Sequence, residues 1–237
     1  MAAGRVLWLA LLGLYDETLT LVASNLLWIG LNLPILLFLG LIVLVTTPLD
    51  PVVILSGLAA LLVLLPTPAG VALAGVARVA AGPDAPSLDV FWRALRTRWR
   101  LGLACCTVSV GAGLLLLMNV LFWPNFPVEW LRFATIPWLY GTLFWLSLHV
   151  YIAPLLVHVP EPRLIDLYRR AALIALGHPV LTLVLFGAQL VIGVASVIFL
   201  PVYLLAGGAY VSLIQAHALR EVRRRHGDLV AETEDEG

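Results

Sequence analysis

Ser87–Arg100, SLDVFWRALRTRWR, is the stretch whose reading decides how the chain is arranged. Wound as an α-helix at 100° per residue, Leu88, Phe91, Trp92, Leu95 and Trp99 fall in one stripe at offsets 0, 3, 4, 7 and 11. Asp89, Arg93, Arg96 and Arg100 fall on the opposite side. Ser87 stands at the N-cap position, and Asp89 complements the positive end of the helix dipole. A helix with Trp on its apolar face and Arg on its polar face is shaped to lie in the headgroup layer of a bilayer. An amphipathic helix of a soluble core has the same pattern, so the flanking sequence decides. Long apolar runs on both sides favour the membrane surface.

Composition agrees. Of 237 residues, 62% are hydrophobic and only 12% charged, with a mean hydropathy of +1.02. Soluble domains carry roughly twice that share of charge. Ordinary core burial cannot absorb so much apolar surface, so lipid is its expected solvent. The 14 basic residues are all arginines, and they sit at the ends of apolar runs rather than in a free patch, which argues against nucleic acid as a partner. Cys105 and Cys106 are adjacent and stand without a third cysteine, so no disulfide framework exists.

Apolar runs and breaks together predict an all-α transmembrane bundle of about six spans, near 18–46, 52–80, 101–123, 133–158, 180–198 and 202–218. Thr47-Pro48-Leu49-Asp50-Pro51, Gly82–Pro86, Trp123–Pro127, Pro160 with Pro162, Gly177-His178-Pro179 and Pro201 provide the breaks. Residues 1–17 read as an interfacial or pre-spanning segment, with a signal peptide as the rival reading. Leu164, Leu167, Tyr168, Ala171 and Ala175 repeat the offsets of the opening stripe, with Asp166, Arg169 and Arg170 opposite, and predict a second interfacial helix. The pattern of amphipathic helix, break and two-span hairpin thus occurs twice, at 87–158 and 163–218. Residues 1–220 form the one domain expected, and the charged stretch 221–237 reads as a disordered tail.

Arginines fall on one side of this threading. Arg5, Arg78, the four from Arg93 to Arg100, Arg163, Arg169, Arg170 and the four from Arg220 to Arg225 share it, and Arg132 alone lies opposite. Positive charge marks the cytoplasmic side, which places both termini inside an inner (plasma) membrane. Trp92, Arg93, Arg96, Trp99, Arg100, Arg169, Arg170, Arg223 and Arg224 are the expected interface anchors, with anionic headgroups as their partner.

Several short motifs resemble the YesL family of bacterial polytopic membrane proteins. They are Asn25-Leu26-Leu27-Trp28 with Leu33-Pro34, Thr67-Pro68-Ala69 with Ala72-Leu73, and Asp89–Leu95. Tyr151 with Pro154-Leu155-Leu156, and Ala171-Ala172-Leu173, belong to the same set. The resemblance covers roughly residues 15–220. One departure is that 32 residues separate Pro34 from Thr67 here, which lengthens the first hairpin relative to the family. The resemblance implies an accessory membrane component associated with carbohydrate uptake systems, with partners such as permease subunits. It carries over no catalytic residues.

Four residues make a candidate polar site inside the membrane: Asn25, Asn32, Thr67 and His149. Asn25 and Asn32 are seven apart and share a helix face with Trp28. Such side chains either line a substrate path or tie helices together by hydrogen bonds. Pro66-Thr67-Pro68 is either a broken helix of the kind that holds transporter sites or the plain start of a new helix. His149, His158, His178 and His217 lack the spacing of a metal site. No carboxylate lies centrally in a span, and no nucleophile or phosphate-binding motif occurs, so the reading implies no enzyme, no metal and no cofactor. The expected role is an accessory or scaffold protein, with a small transporter or permease subunit using the Asn25, Asn32 and Pro66–Pro68 region as the alternative.

Overall fold

The computed structural model describes residues 2–46, 65–160 and 163–225. Among the described residues the chain is helical, without strands. α1 (Ala2–Asp16) and α2 (Thr18–Thr46) come first, then α3 (Pro68–Ala80) and α4 (Leu88–Phe122). Two 3-10 turns, Trp123–Asn125 and Glu129–Ala134, lead to α5 (Thr135–His158). α6 (Leu164–Gly177) and α7 (Pro179–Ile198) follow. One helical turn (Leu200–Val202) and a π-turn (Tyr203–Gly207) then open into α8 (Gly208–Arg225).

Three stretches are long and apolar enough to cross a bilayer: Thr18–Val45, Leu88–Asn125 and Glu129–His158. α6 and α7 meet that test only together, and a bend of 106° separates them. α3 has 13 residues, about 20 Å at 1.5 Å per residue, and falls short of a 30 Å hydrocarbon core. The rest of the second expected span, up to residue 64, lies outside the described residues. The expected last span, 202–218, falls on the π-turn and α8, whose residues are mostly buried against other helices.

Burial concentrates at one end of the bundle. α3 is buried from Val71 to Ala77, α5 from Ser147 to Ile152, and α8 from Val211 to Ala216. These three helices form the centre. By contrast, α2, the later half of α4, the early half of α5 and α7 present bare apolar side chains, among them Phe38, Met118, Leu139 and Val191. That surface is what lipid would cover. Small residues let α3 and α4 approach closely: a Cβ added at Gly75 would sit 2.9 Å from the Ala94 Cβ, and one at Gly102 would sit 3.1 Å from the Pro68 Cα.

Two expectations need correction. Residues 87–100 are not a separate interfacial helix, because α4 runs unbroken from Leu88 to Phe122. Nothing in Arg98–Leu103 withdraws an amide donor, so the helix has no reason to stop before the span. Its apolar stripe also divides: Phe91 is fully buried, while Trp92 and Trp99 remain exposed. The second amphipathic helix, α6, is separate as expected, but its stripe faces protein. Leu167, Ala171 and Ala175 are buried in the bundle core. Pro179 at the start of α7, after His178 with non-helical φ −132° and ψ 58°, makes the sharp bend. The duplicated pattern therefore takes two different geometries, straight at Arg100 and bent at His178.

The C-terminal boundary also moves. α8 continues to Arg225, with Glu221 and Val222 buried, so the tail expected from 221 begins inside a helix; residues 226–237 lie outside the described residues. α1 packs on α8 through Val6 and Ala10. Arg5 Nη2 stands 2.7 Å from Glu221 Oε2, and Arg224 and Arg225 reach Glu221 Oε1 at 3.2 and 3.0 Å. Glu221 is 4% exposed. Burial alone would raise its pKa, but the hydrogen bonds from Arg225 and Arg224 and the Arg5 charge more than offset this and hold it below the ordinary value.

Two measurements test this packing. Gly75→Leu places a side chain where α3 and α4 touch and is expected to cost about 1–3 kcal/mol of stability, read as a lower melting temperature in detergent. A depressed carboxylate pKa stabilises the fold above the unfolded value and loses that contribution as pH falls through the folded one. Wild-type melting temperature should therefore drop on acidification below about pH 4.5, and Glu221→Gln should flatten that drop while lowering stability at pH 7.

Candidate functional site

The polar junction in the middle of the bundle is built on the π-turn. Such a turn widens the helix by one residue and leaves part of the backbone ladder without its usual partner. Here a side chain from another helix fills the gap. Asn25 Nδ2 donates to the Leu204 carbonyl at 2.6 Å, and Asn25 Oδ1 accepts from the Ala209 N–H at 3.0 Å. Leu204 and Ala209 are five apart, the spacing of a π-type bond, and the carboxamide bridges the two backbone groups. A fully buried polar side chain with both ends paired is stable in a dry interior.

Glycine makes this approach possible. A Cβ on Gly208 would lie 2.5 Å from Asn25 Oδ1 and 3.2 Å from the Trp28 ring. Trp28, one turn along α2 and 2% exposed, closes the junction from the other side. Thr67 then begins α3: its Oγ1 accepts from the Gly70 N–H at 3.0 Å, with Pro68 as the first helical residue. Pro66-Thr67-Pro68 is thus a capped helix start. Asn32 is buried and donates to the Trp28 carbonyl of its own helix at 2.8 Å.

What remains between these groups is a void of about 10 Å³, bordered by Trp28, Gly70, Ala153, Gly208, Ser212 and Gln215. That is about the space one water needs. Gln215 continues the polar set, donating to Gln189 Oε1 at 3.5 Å.

His149 joins a different set. Its Nδ1 lies 2.9 Å from the Trp145 carbonyl, which can only accept, so the ring proton is on Nδ1. His149 Nε2 is buried and has no hydrogen-bond partner among the described residues. Trp145 stacks on Tyr168 at 5.2 Å, and the Tyr168 hydroxyl bonds both the Ser109 hydroxyl at 2.8 Å and the Cys105 carbonyl at 3.0 Å. Tyr151 meets Thr182 at 2.9 Å in the same fashion. These contacts tie α4, α5, α6 and α7 together.

The sequence reading does not single out Gln189 or Ser109 as site residues, and it gives Gln215 and Tyr168 no part in this polar set. Two of them carry a signal: Gln189 and Gln215 are uncharged polar residues that interrupt apolar runs. Tyr168 was placed on the apolar stripe of its helix, and its polar tip was the overlooked part. Among the described residues no group of three His, Cys, Asp or Glu side chains could hold a metal ion. Of the expected interface anchors, Arg93, Arg96, Arg100 and Arg169 are exposed, and the Arg100 guanidinium lies 5.4 Å from the Trp99 ring centre. Arg224 pairs with Glu221, while Arg170 and Arg223 face a cleft at the end of the bundle.

The arrangement defines a class: a helical protein with several membrane-crossing candidates and a closed polar junction between them. No family model matches the chain, no curated protein matches it, and no solved structure does. The likeness to the YesL family therefore rests on the short motifs alone.

Asn25→Leu removes both cross-helix bonds, to the Leu204 carbonyl and from the Ala209 N–H, an expected cost of about 1–3 kcal/mol in all. Asn32→Leu removes a bond within one helix and should cost distinctly less. Thermal unfolding of the two variants side by side checks the ranking, and equal losses would remove the special role given to Asn25.

Proposed function

We propose that the chain is a multi-pass protein of the bacterial inner membrane that works by contact with other membrane proteins, as a non-enzymatic accessory or scaffold component. Six crossings with both termini cytoplasmic remain the preferred threading. Its support is that Arg78, Arg170, Arg220 and Arg223 gather at one end of the bundle, while Arg132 belongs to the hairpin at the far end of α4 and α5. α5 alone has 24 residues, about 36 Å of separation between those ends. Anionic headgroups are the proposed lipid partner of the arginine-rich end.

One observation carries the contact role. Asn25, Asn32 and Thr67 each bond backbone groups, and the void bordered by their neighbours Trp28, Gly70 and Gly208 is about 10 Å³. Small-molecule sites usually offer about 300 Å³ or more. Permease subunits of a carbohydrate uptake system are the proposed partners, and that choice comes from the YesL-like motifs.

A second reading, a small secondary transporter, draws support from the π-turn and from the 106° bend between α6 and α7. Transporters place sites at such discontinuities. Purified protein in proteoliposomes separates the two. No sugar flux above empty vesicles, together with co-purification of a permease from native membranes, is the expected result. Saturable uptake abolished by Asn32→Leu or Thr67→Val would replace the scaffold reading with transport.

A further inference from the structure

A cleft of about 1050 Å³ opens at the arginine-rich end of the bundle. Arg78 enters it from the last turn of α3, Arg170 from α6, and Arg220 and Arg223 from α8. Asp84 is the one carboxylate among the described residues lining it. The carboxylate nearest in sequence to Arg220 and Arg223 does not serve them: Glu221 is turned toward Arg5, Arg224 and Arg225, none of which lines the cleft. Arg78, Arg170 and Arg220 make no ion pair with any described residue.

Charge and shape are therefore combined here in a way that plain surface solvation does not require. Guanidinium groups from three helices converge on a concave wall, where like charge raises the potential and field lines concentrate. His158 also lines the cleft, and much of the remaining wall is apolar, from Leu155, Val159, Leu173, Ile174, Leu219 and Val222. A bare ion would leave most of this volume empty, since organic ligands occupy about 300–1,000 Å³. Arginine matches phosphate oxygens with paired donors, and basic pockets between membrane helices bind phosphorylated headgroups. Diffuse attraction to an anionic membrane needs neither the concavity nor the apolar wall.

We infer that the cleft bounded by Arg78, Arg170, Arg220 and Arg223 is a binding site for a phosphate-bearing anion with an apolar portion. A phospholipid headgroup and a free organic phosphate ester share that chemistry. The inference goes beyond the proposed contact role and stands whether or not the chain carries a solute.

The full chain in uncharged detergent is titrated with dioctanoyl phosphatidylglycerol, with glycerol phosphate, and with uncharged dioctanoylglycerol as the control. Native mass spectrometry and calorimetry read the binding. Saturable one-to-one binding of a phosphate probe is expected, with none of the control. Binding of the short-chain lipid alone assigns the headgroup, and binding of glycerol phosphate assigns a free ester. Arg78→Gln, Arg170→Gln and Arg220→Gln should each weaken it about tenfold, the scale of one lost charge-assisted hydrogen bond. Arg78→Lys, which keeps the charge and loses the paired donors, should fall between. Arg132→Gln, in the opposite hairpin, should bind as wild type. Circular dichroism of each variant checks the helical fold. Absence of saturable binding by both phosphate probes, wild-type affinity in the three cleft Gln variants, or an equal loss in Arg132→Gln overturns the site.

Discussion

The Asn25 carboxamide holds the centre of this molecule. In an interior without water, every backbone N–H and C=O must find a partner within the protein. At the π-turn before α8 the regular ladder changes register, and Asn25 ties in from another helix by bonding Leu204 and Ala209 at once. Gly208 and Trp28 follow from the same contact, one by leaving room and the other by sealing it. With α2 pinned to the π-turn, the start of α3 at Thr67 packs alongside and the space between them shrinks to a single-water void. Functional and structural readings of Asn25 thus meet in one fact: its hydrogen-bonding groups already have partners.

From that junction the bundle divides into two halves of different character. Toward the arginine end, α3, α5 and α8 bury nearly every side chain against protein. Away from it, α2, α4, α5 and α7 separate and turn leucine, valine and phenylalanine outward. The close approach at Gly75 and Ala94 belongs to the first half. Polar side chains reinforce the second kind of contact where the helices diverge, through Trp145, Tyr168 and Ser109. Bare apolar surface on several helices is also what a scaffold that docks other membrane helices would offer.

Charge at the packed end is arranged in two ways. Around Glu221 three arginines satisfy one buried carboxylate and lock α1 onto α8. A few residues away, four arginines face a cleft with a single carboxylate among the described residues lining it. Neighbouring turns of α8 contribute to both, since Arg220 and Arg223 alternate with Glu221, Arg224 and Arg225 around the helix. Helical periodicity alone thus sorts one charged run into a structural ion-pair cluster and a basic cleft wall.

Local chemistry made much of this legible in advance. Long apolar runs imply helices in lipid, because no other single-segment structure satisfies its own backbone there. Proline marks the observed helix starts at Pro68 and Pro179, while Pro34 and Pro154 lie inside helices that continue past them. The seven-residue spacing of Asn25 and Asn32 placed both on one face, yet only the folded chain revealed that one bonds across helices and the other within its own. Tertiary structure likewise decided that Ser87–Arg100 continues into the next span, that the stripe of α6 faces protein, and that arginines from three helices share one cleft. The physical reason is that hydropathy measures aversion to water and is blind to what replaces it. A lipid tail and a neighbouring helix satisfy a leucine equally well, so the choice between them is made only by what the rest of the chain brings alongside.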